Sequence, residues 1–595
     1  MHSRMSGTRR RAALALTAVG VVSLAGFTAI PQISSAATAK QSASRGGVLF
    51  MLGTGDVDYF DPNISYYTVG YEGLRPWDRT ILSYPAVPGH TVDVVPDLAA
   101  AMPTVSQGGT VYTITIRKGA MWDTSPARQV TGADAQRGLE RTCNPKQPFG
   151  GLPDFEALIV GMTQFCSAFA KVSPTVPAIA AFLKTHSISG VTLSASNPLQ
   201  VSYKLVHPAT FFVNLLAMPA FSPAPVEDLN YLPASAQFAQ HTISDGPYMV
   251  KSYDPTRSID FVRNPAFNPS TDPISKAYVD EIRINETVSA STVQQELQTN
   301  SANYDLYWGD TQVPANDVPS LNASHNPGLS LGLTAGLDPF ITFNQKDPNE
   351  NKAMQNLKVR QAISYALNRT ALVQDAGGPQ LSPPLSHVLP PSVVGSTNFD
   401  DYPYNTSKAK ALLGGQKYTF KLLYQISNPV QAKMFQTIQF ELGQIGITVQ
   451  GEGVPSADIY VKYLEVPSTA TRGVWDFALD QWYPDWYGNN AASYFLPVFD
   501  SSSLPPAGSN FSYEDNPKVD SVIAKALSAT SNAQATSLWQ QADRLVMGDA
   551  AIYPINSPSF AVYVPTQVHN AVFVPNIQAI DPTNVWLSPS DRVNG

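Results

Sequence analysis

The chain is poor in the residues that most chemistry needs. Of its 595 residues only 2 are cysteine, 8 are histidine and 14% are charged. The histidines, such as His90, His186, His207 and His387, are scattered, and none lies near Cys143 or Cys166, so neither a cysteine–histidine metal site nor any other metal site is expected. There is no G-x-S-x-G, no H-E-x-x-H, no phosphate-binding glycine loop and no dinucleotide fingerprint, so the sequence supports neither an enzyme nor a cofactor. Outside the N-terminus there is no apolar run of membrane-spanning length. Positive charge is also short. Four of the 38 basic residues and none of the 46 acidic ones fall within residues 1–39, so the remainder carries a formal charge of −12, which argues against nucleic acid or anionic lipid as a partner.

The N-terminus reads as an export signal. Arg9, Arg10 and Arg11 precede an Ala- and Thr-rich apolar stretch from Ala12 to Ile30, with small-residue cleavage sites ending at Ala36 or at Ala39. An uncleaved membrane anchor is the other reading. Leu24-Ala25-Gly26 resembles the start of a lipidation motif, but Phe27 stands where the acceptor cysteine belongs, so no lipid anchor is expected. In an exported chain, Cys143 and Cys166 are expected to form a disulfide, with two buried thiols as the alternative.

The rest has the makeup of a folded soluble protein, 43% hydrophobic and 10% aromatic, and is too long for one ordinary core. Its 49 prolines imply many loops and short elements. The stretch from Trp475 to Asp480 is a short apolar strand. It runs into Trp482-Tyr483-Pro484-Asp485-Trp486-Tyr487, a loop with two tryptophans, two tyrosines and a carboxylate. Aromatic faces and a carboxylate suit a small organic ligand carrying an ammonium group, while core packing beside a tight turn is the plainer reading. Just before it, Lys417 to Tyr424, a helix from Pro429 to Ile445 and Ile447-Thr448-Val449 form a β-α-β unit, expected to be parallel and right-handed. Ligands of open α/β sheets lie beyond the carboxyl ends of such strands, which is where the aromatic loop falls.

One block is more specific. Pro96, Leu98 and Ala99 precede a strand carrying Tyr112, Thr113 and Arg117. Gly119, Trp122 and Asp123 follow, and then a helix capped at Thr131 with Asp134 and Arg141. Further along come Gly246-Pro247-Tyr248, Arg263-Asn264-Pro265-Ala266-Phe267 and Val359-Arg360-Gln361-Ala362 with Asn368-Arg369. Over roughly 46–565 this pattern resembles the family 5 extracellular solute-binding proteins of ABC importers, of the oligopeptide and dipeptide type. It departs at Gly108-Gly109, Thr124, Gly132 and Ala135, which are turn and packing positions, and has Asn368 in the place of an Asp.

The resemblance implies an α/β, two-lobed periplasmic-binding-protein-like fold of type II with an extra subdomain in the first lobe. The expected layout is a signal peptide at 1–39 and a first lobe in three parts, 46–85, 201–312 and 551–595. The subdomain takes 86–200, the second lobe 313–550, and the hinge lies near 310 and 550. The implied function is a monomeric, non-enzymatic receptor that closes on a peptide and delivers it to an ABC permease and its ATPase. Nickel chelates, sugars or opines are the alternative ligands, and a secreted peptide sensor without a transporter is the alternative role. Trp482 and Asp485 match the family's W-x-x-D, which implies Asp485 as ammonium anchor and Trp482 as wall. Tyr483, Trp486, Tyr66, Tyr67 and Asn556 are further candidate contacts.

Overall fold

A computed structural model describes residues 43–593, apart from 300–303, 456–457 and 507. The expected signal peptide therefore lies outside the described residues. Two five-stranded sheets organise the chain. In the first, the strands run in the order Tyr248–Asp254, Ser258–Arg263, Glu281–Asn285, Val48–Thr54 and Leu306–Gly309. Val48–Thr54 pairs in parallel with both neighbours. Val48, Leu49, Met51 and Leu52 are all buried, as an apolar run should be when helices and loops cover both faces of a parallel strand.

The second sheet has the order Ile447–Val454, Tyr418–Gln425, Phe477–Trp482, Leu337–Phe343 and Ile552–Pro554. Its first three strands are parallel, and the β-α-β unit read from the periodicity is present, with helix Pro429–Gly443 as the crossover. That helix starts where Asn428 accepts the backbone N–H groups of Val430 and Gln431 and Pro429 takes the position that needs no donor. Leu337–Phe343 and Ile552–Pro554 complete the sheet antiparallel.

The sheets are joined by an antiparallel ribbon, Leu329–Leu333 against Ser559–Tyr563, through which the chain crosses in both directions. This differs from the expected return at 551. Ile552–Pro554 still hydrogen-bonds to Leu337–Phe343, because its side chains are buried in the second sheet, and the chain leaves that sheet only after Pro554. The ribbon also lies beyond both expected hinge positions.

Between the first two strands of the first sheet in sequence, a four-stranded antiparallel sheet forms from Thr104–Ser106, Val111–Thr115, Gln200–Lys204 and Val191–Leu193. Val111–Thr115 alternates as expected, with Tyr112 and Ile114 inward. Helix Gly132–Arg141 is closed at its start by Thr131, whose N–H and hydroxyl both donate to Asp134 (2.9 Å each). At its end Arg141 pairs with Asp61 and donates to Asn63, which fastens this helix to the segment that follows strand Val48–Thr54. Cys143 and Cys166 are bridged and tie the segment after that helix to helix Met162–Phe169.

Candidate ligand-binding site

Strand Phe477–Trp482 delivers the aromatic loop at the carboxyl ends of the parallel strands, on the side facing the first lobe. The loop runs to helix Ala492–Phe499, and Ser493 in that helix fixes it from behind. Ser493 Oγ accepts the Asp485 N–H (2.8 Å) and donates to Asp485 Oδ2 (3.1 Å), and its carbonyl accepts the Trp482 indole N–H (2.7 Å). The carboxylate is thereby aimed away from its own lobe. Its other oxygen accepts the hydroxyl of Tyr66 at 2.5 Å, across 419 residues of sequence and from the opposite lobe.

Tyr66 is itself held. Its ring meets Phe149 edge-on (5.2 Å, 84°) and lies so close over Gly150 that a Cβ there would sit 2.6 Å from Cδ1. The same segment turns into helix Leu152–Leu158, whose Asp154 has no ion pair among the described residues. Burial pushes the Asp154 carboxyl up to about 7, and the Asp485 charge adds to this. Asp485 is also raised, by burial, against the lowering effect of the Tyr66 and Ser493 hydroxyls. Asp485 thus accepts two neutral hydroxyls from opposite lobes, and neither it nor Asp154 has an ion pair among the described residues.

A second group lies along the same wall. Tyr483 donates its hydroxyl to Asp338 Oδ2 (2.8 Å), and Tyr460 donates to Asp480 Oδ1 (3.1 Å). Burial raises Asp338 to about 6 and Asp480 to about 7. Asn556 sits behind Asp338, with Nδ2 donating to its carbonyl (2.6 Å) and with Oδ1 lacking a hydrogen-bond partner.

The structure therefore brings Tyr66, Trp482, Tyr483, Asp485 and Asn556 to one interlobe region. It does not bring Tyr67, which is 64% exposed at the start of helix Thr68–Leu74. Trp486 has another task than the one expected. It is 2% exposed, stacks on Phe211 of the first lobe (5.4 Å, 13°), and so joins the lobes rather than walling an open site. The residues that follow do the same. Asn214 donates to the Tyr487 carbonyl (2.6 Å), Tyr84 Oη lies 3.0 Å from both the N–H and the carbonyl of Tyr487, and Asn489 donates to Thr210 (3.1 Å).

Asp154, Asp338 and Asp480 escaped the reading of the sequence. Asp154 follows Leu152-Pro153 in a first helical turn, where an acid is ordinary. Asp338 and Asp480 lie within apolar strands, and a carboxylate in such a setting was the available signal.

Gly488 marks how close the lobes come. Its φ is +85°, and a Cβ would meet Asn214 Nδ2 at 2.7 Å and the Val92 carbonyl oxygen at 2.8 Å, both in the first lobe. The variant Gly488→Ala is expected to hold the lobes apart. Its ligand affinity should drop by on the order of tenfold, since a few tenths of an ångström of forced displacement in a packed interface costs roughly 1–3 kcal/mol. Small-angle scattering of the liganded variant should show a larger radius of gyration than that of the liganded parent. An unchanged radius and affinity would mean that this contact does not limit closure.

His387 and Asp543 are bonded (2.9 Å), but Asp543 also accepts the Val388 N–H, and His387 stacks on Phe399, so the pair caps and packs. Among the described residues no group of three or more His, Cys, Asp or Glu could hold a metal ion, and no helix is long and apolar enough to cross a membrane.

Comparison with known proteins agrees with this architecture. The sequence profile of the bacterial extracellular solute-binding proteins, family 5, middle region, matches residues 93–503. The glutathione-binding protein GsiB of Shigella dysenteriae is 27% identical over 370 residues, which is 61% of this chain and 67% of GsiB. Among solved structures, the clavulanic acid biosynthesis oligopeptide binding protein 2 superposes with a TM-score of 0.81 at 21% identity, covering 92% of this chain and 96% of that one. Haemophilus influenzae OppA, in complex with the peptide RPPGFSPFR, superposes with a TM-score of 0.69 at 15% identity, covering 92% of this chain and all of that one. These likenesses show the two-lobed fold.

Proposed function

The chain belongs to the family 5 bacterial extracellular solute-binding proteins, and from that premise we propose that it captures peptides between its lobes, through their terminal ammonium group, for delivery to an ABC permease and its ATPase. The observation that carries this is the Asp485 carboxylate. It stands at the junction of the lobes and accepts two hydroxyl donors, Tyr66 and Ser493, with no cation paired to it among the described residues. Hydrogen bonds from a charged donor are roughly twice as strong as neutral ones, so an ammonium group displaces the Tyr66 hydroxyl with a net gain. Trp482 and Tyr483 flank the carboxylate and supply the apolar wall. Asp154 adds a second negative charge facing the same group.

The ribbon of Leu329–Leu333 and Ser559–Tyr563 is the hinge in this reading. A ligand that bridges Asp485 and Tyr66 stabilises the shut arrangement over the open one, and the shut arrangement is what a permease would recognise. The domain limits are those given above, with the return to the first lobe moved past Pro554. The protein acts as a monomer without chemistry of its own. It is exported on residues 1–39, and Phe27 leaves no thiol for lipidation. Glutathione, the ligand in the name of the GsiB relative, fits less well here. Its ammonium group shares a carbon with a carboxylate, so an anchor built on Asp485 would meet like charge beside the ammonium, whereas an α-linked peptide has no carboxylate there.

Calorimetry with the ligand-free protein tests the reading. Peptides with a free N-terminus are expected to bind at least about 100-fold more tightly than the same peptides acetylated there, since acetylation removes the charge that Asp485 holds. Equal affinity for both forms would remove Asp485 as the anchor, and binding of glutathione but of no α-linked peptide would replace the ligand class.

A further inference from the structure

Asp338 and Asp480 are brought together by the pairing of strands Leu337–Phe343 and Phe477–Trp482, in which Leu337 faces Trp482 and Phe340 faces Asp480. The side-chain donors that reach them are neutral phenols, Tyr483 on Asp338 and Tyr460 on Asp480, and the N–H of Gln481 also donates to Asp480. No lysine or arginine pairs with either among the described residues. A carboxylate left in a dry strand without a counter-charge is expensive, and an ion pair is the usual remedy. Here the protein does not provide one.

The surrounding atoms point the same way. Asn556, 1% exposed, donates to the Asp338 carbonyl, and its own Oδ1 is an acceptor with no partner. Around Asp338 the partners are thus neutral donors and one unpartnered acceptor, and what the group lacks is a donor that carries positive charge.

We propose that Asp338 and Asp480, with the hydroxyls of Tyr483 and Tyr460, form a second cation subsite beside the Asp485 anchor, so that the preferred peptides carry a lysine or arginine side chain in addition to the terminal ammonium. This rests on the peptide reading above. The spacing is suitable. Asp480 and Asp485 are five residues apart, at most about 17 Å along an extended strand and less through the turn at Pro484. A di- or tripeptide backbone, at ~3.5 Å per residue, together with an extended arginine side chain covers that span. A planar guanidinium can donate to two carboxylates at once, which favours arginine over lysine.

The test is calorimetry on the full ligand-free chain with matched tripeptides that differ only in arginine against citrulline, which has the same shape and no charge, at the second or third position. Spermidine is included as a polycation that is not a peptide. The arginine member of the best pair is expected to bind at least tenfold more tightly. Asp338→Asn, and independently Tyr483→Phe, should shrink that advantage to less than threefold. If either variant fails to fold, the wild-type arginine-to-citrulline ratio still decides. Equal binding of the two members of every pair would overturn the subsite and leave the peptide reading standing. Spermidine binding that Asp338→Asn removes, with no peptide bound, would keep the subsite and overturn the peptide reading. No binding by any probe would overturn both.

Discussion

Asp485→Ala is expected to weaken peptide binding by two to three orders of magnitude. Removing one partner of a buried, hydrogen-bonded charge pair typically costs 2–5 kcal/mol, and ~1.4 kcal/mol is a factor of ten. The upper part of that range applies because Asp485 stands half-buried, held by Ser493 and Tyr66, so water replaces it poorly. Asp485→Asn separates charge from shape. It keeps an oxygen for the two hydroxyls, so it should hold the loop in place and still lose most of the affinity. Calorimetry on both variants, with one free and one N-acetylated peptide, checks this. If Asp485→Asn binds as the parent does, charge at this position is irrelevant and the anchor lies elsewhere. Misfolding is a weak alternative explanation of a loss. Burial raises the Asp485 carboxyl above its ordinary value, so removing it should leave the unliganded protein at least as stable near neutral pH.

The unliganded protein should be more stable near pH 5 than near pH 8. Burial lifts a set of carboxyls far above the usual range: Asp97 and Asp338 to about 6, and Asp154, Asp228, Asp480, Glu140 and Glu441 to about 7. A carboxyl with a raised folded-state value binds its proton more tightly in the folded chain than in the unfolded one. Its stabilising contribution is complete below about pH 4 and is lost as pH rises through 6 to 7. Only a few groups run the other way. Asp134 and Asp581, although buried, are held low by Arg128 and Arg75 respectively, and Glu227 by Arg128, so these lose their contribution in acid. The balance places the optimum between pH 4 and 6.

A tenfold difference in proton affinity between the folded and unfolded chain corresponds to about 1.4 kcal/mol. Several such carboxyls act in the same direction, so a fall of roughly a few degrees in Tm between pH 5 and 8 is expected. Calorimetric melts in buffers of matched ionic strength check it. A flat profile, or a maximum above pH 7, would mean that these carboxyls are charged and solvated in the folded chain. A bound cationic peptide should flatten the slope, because it stabilises the ionised forms of Asp154, Asp338 and Asp480.

Much of the frame was legible in the residues. Apolar runs in Val48 to Leu52 and Phe477 to Asp480 marked buried strands, and the alternation in Val111–Thr115 marked a half-covered one. The strand–helix–strand order around Pro429–Gly443 required a parallel crossover, and this alone put the Trp482 to Asp485 loop at the edge where a ligand can sit. Such features are local. They depend on which face of an element meets water, and periodicity records that directly.

The membership of the site depended on the lobes meeting. Tyr66 and Tyr67 are neighbours with the same side chain, yet one bonds Asp485 and the other is exposed, because the backbone at Tyr67 is extended and successive side chains there point to opposite sides. Trp486 looked like part of the wall and became a clasp on Phe211. Asp154, an acid in a first helical turn, carries no local sign of a role, and only the Asp485 charge gives it one. The sequence by itself determined the elements, their order and the edge that carries the aromatic loop. Only the tertiary structure decided which carboxylates face one another without a cation, because a charge takes its character from neighbours hundreds of residues away, and no local pattern records them.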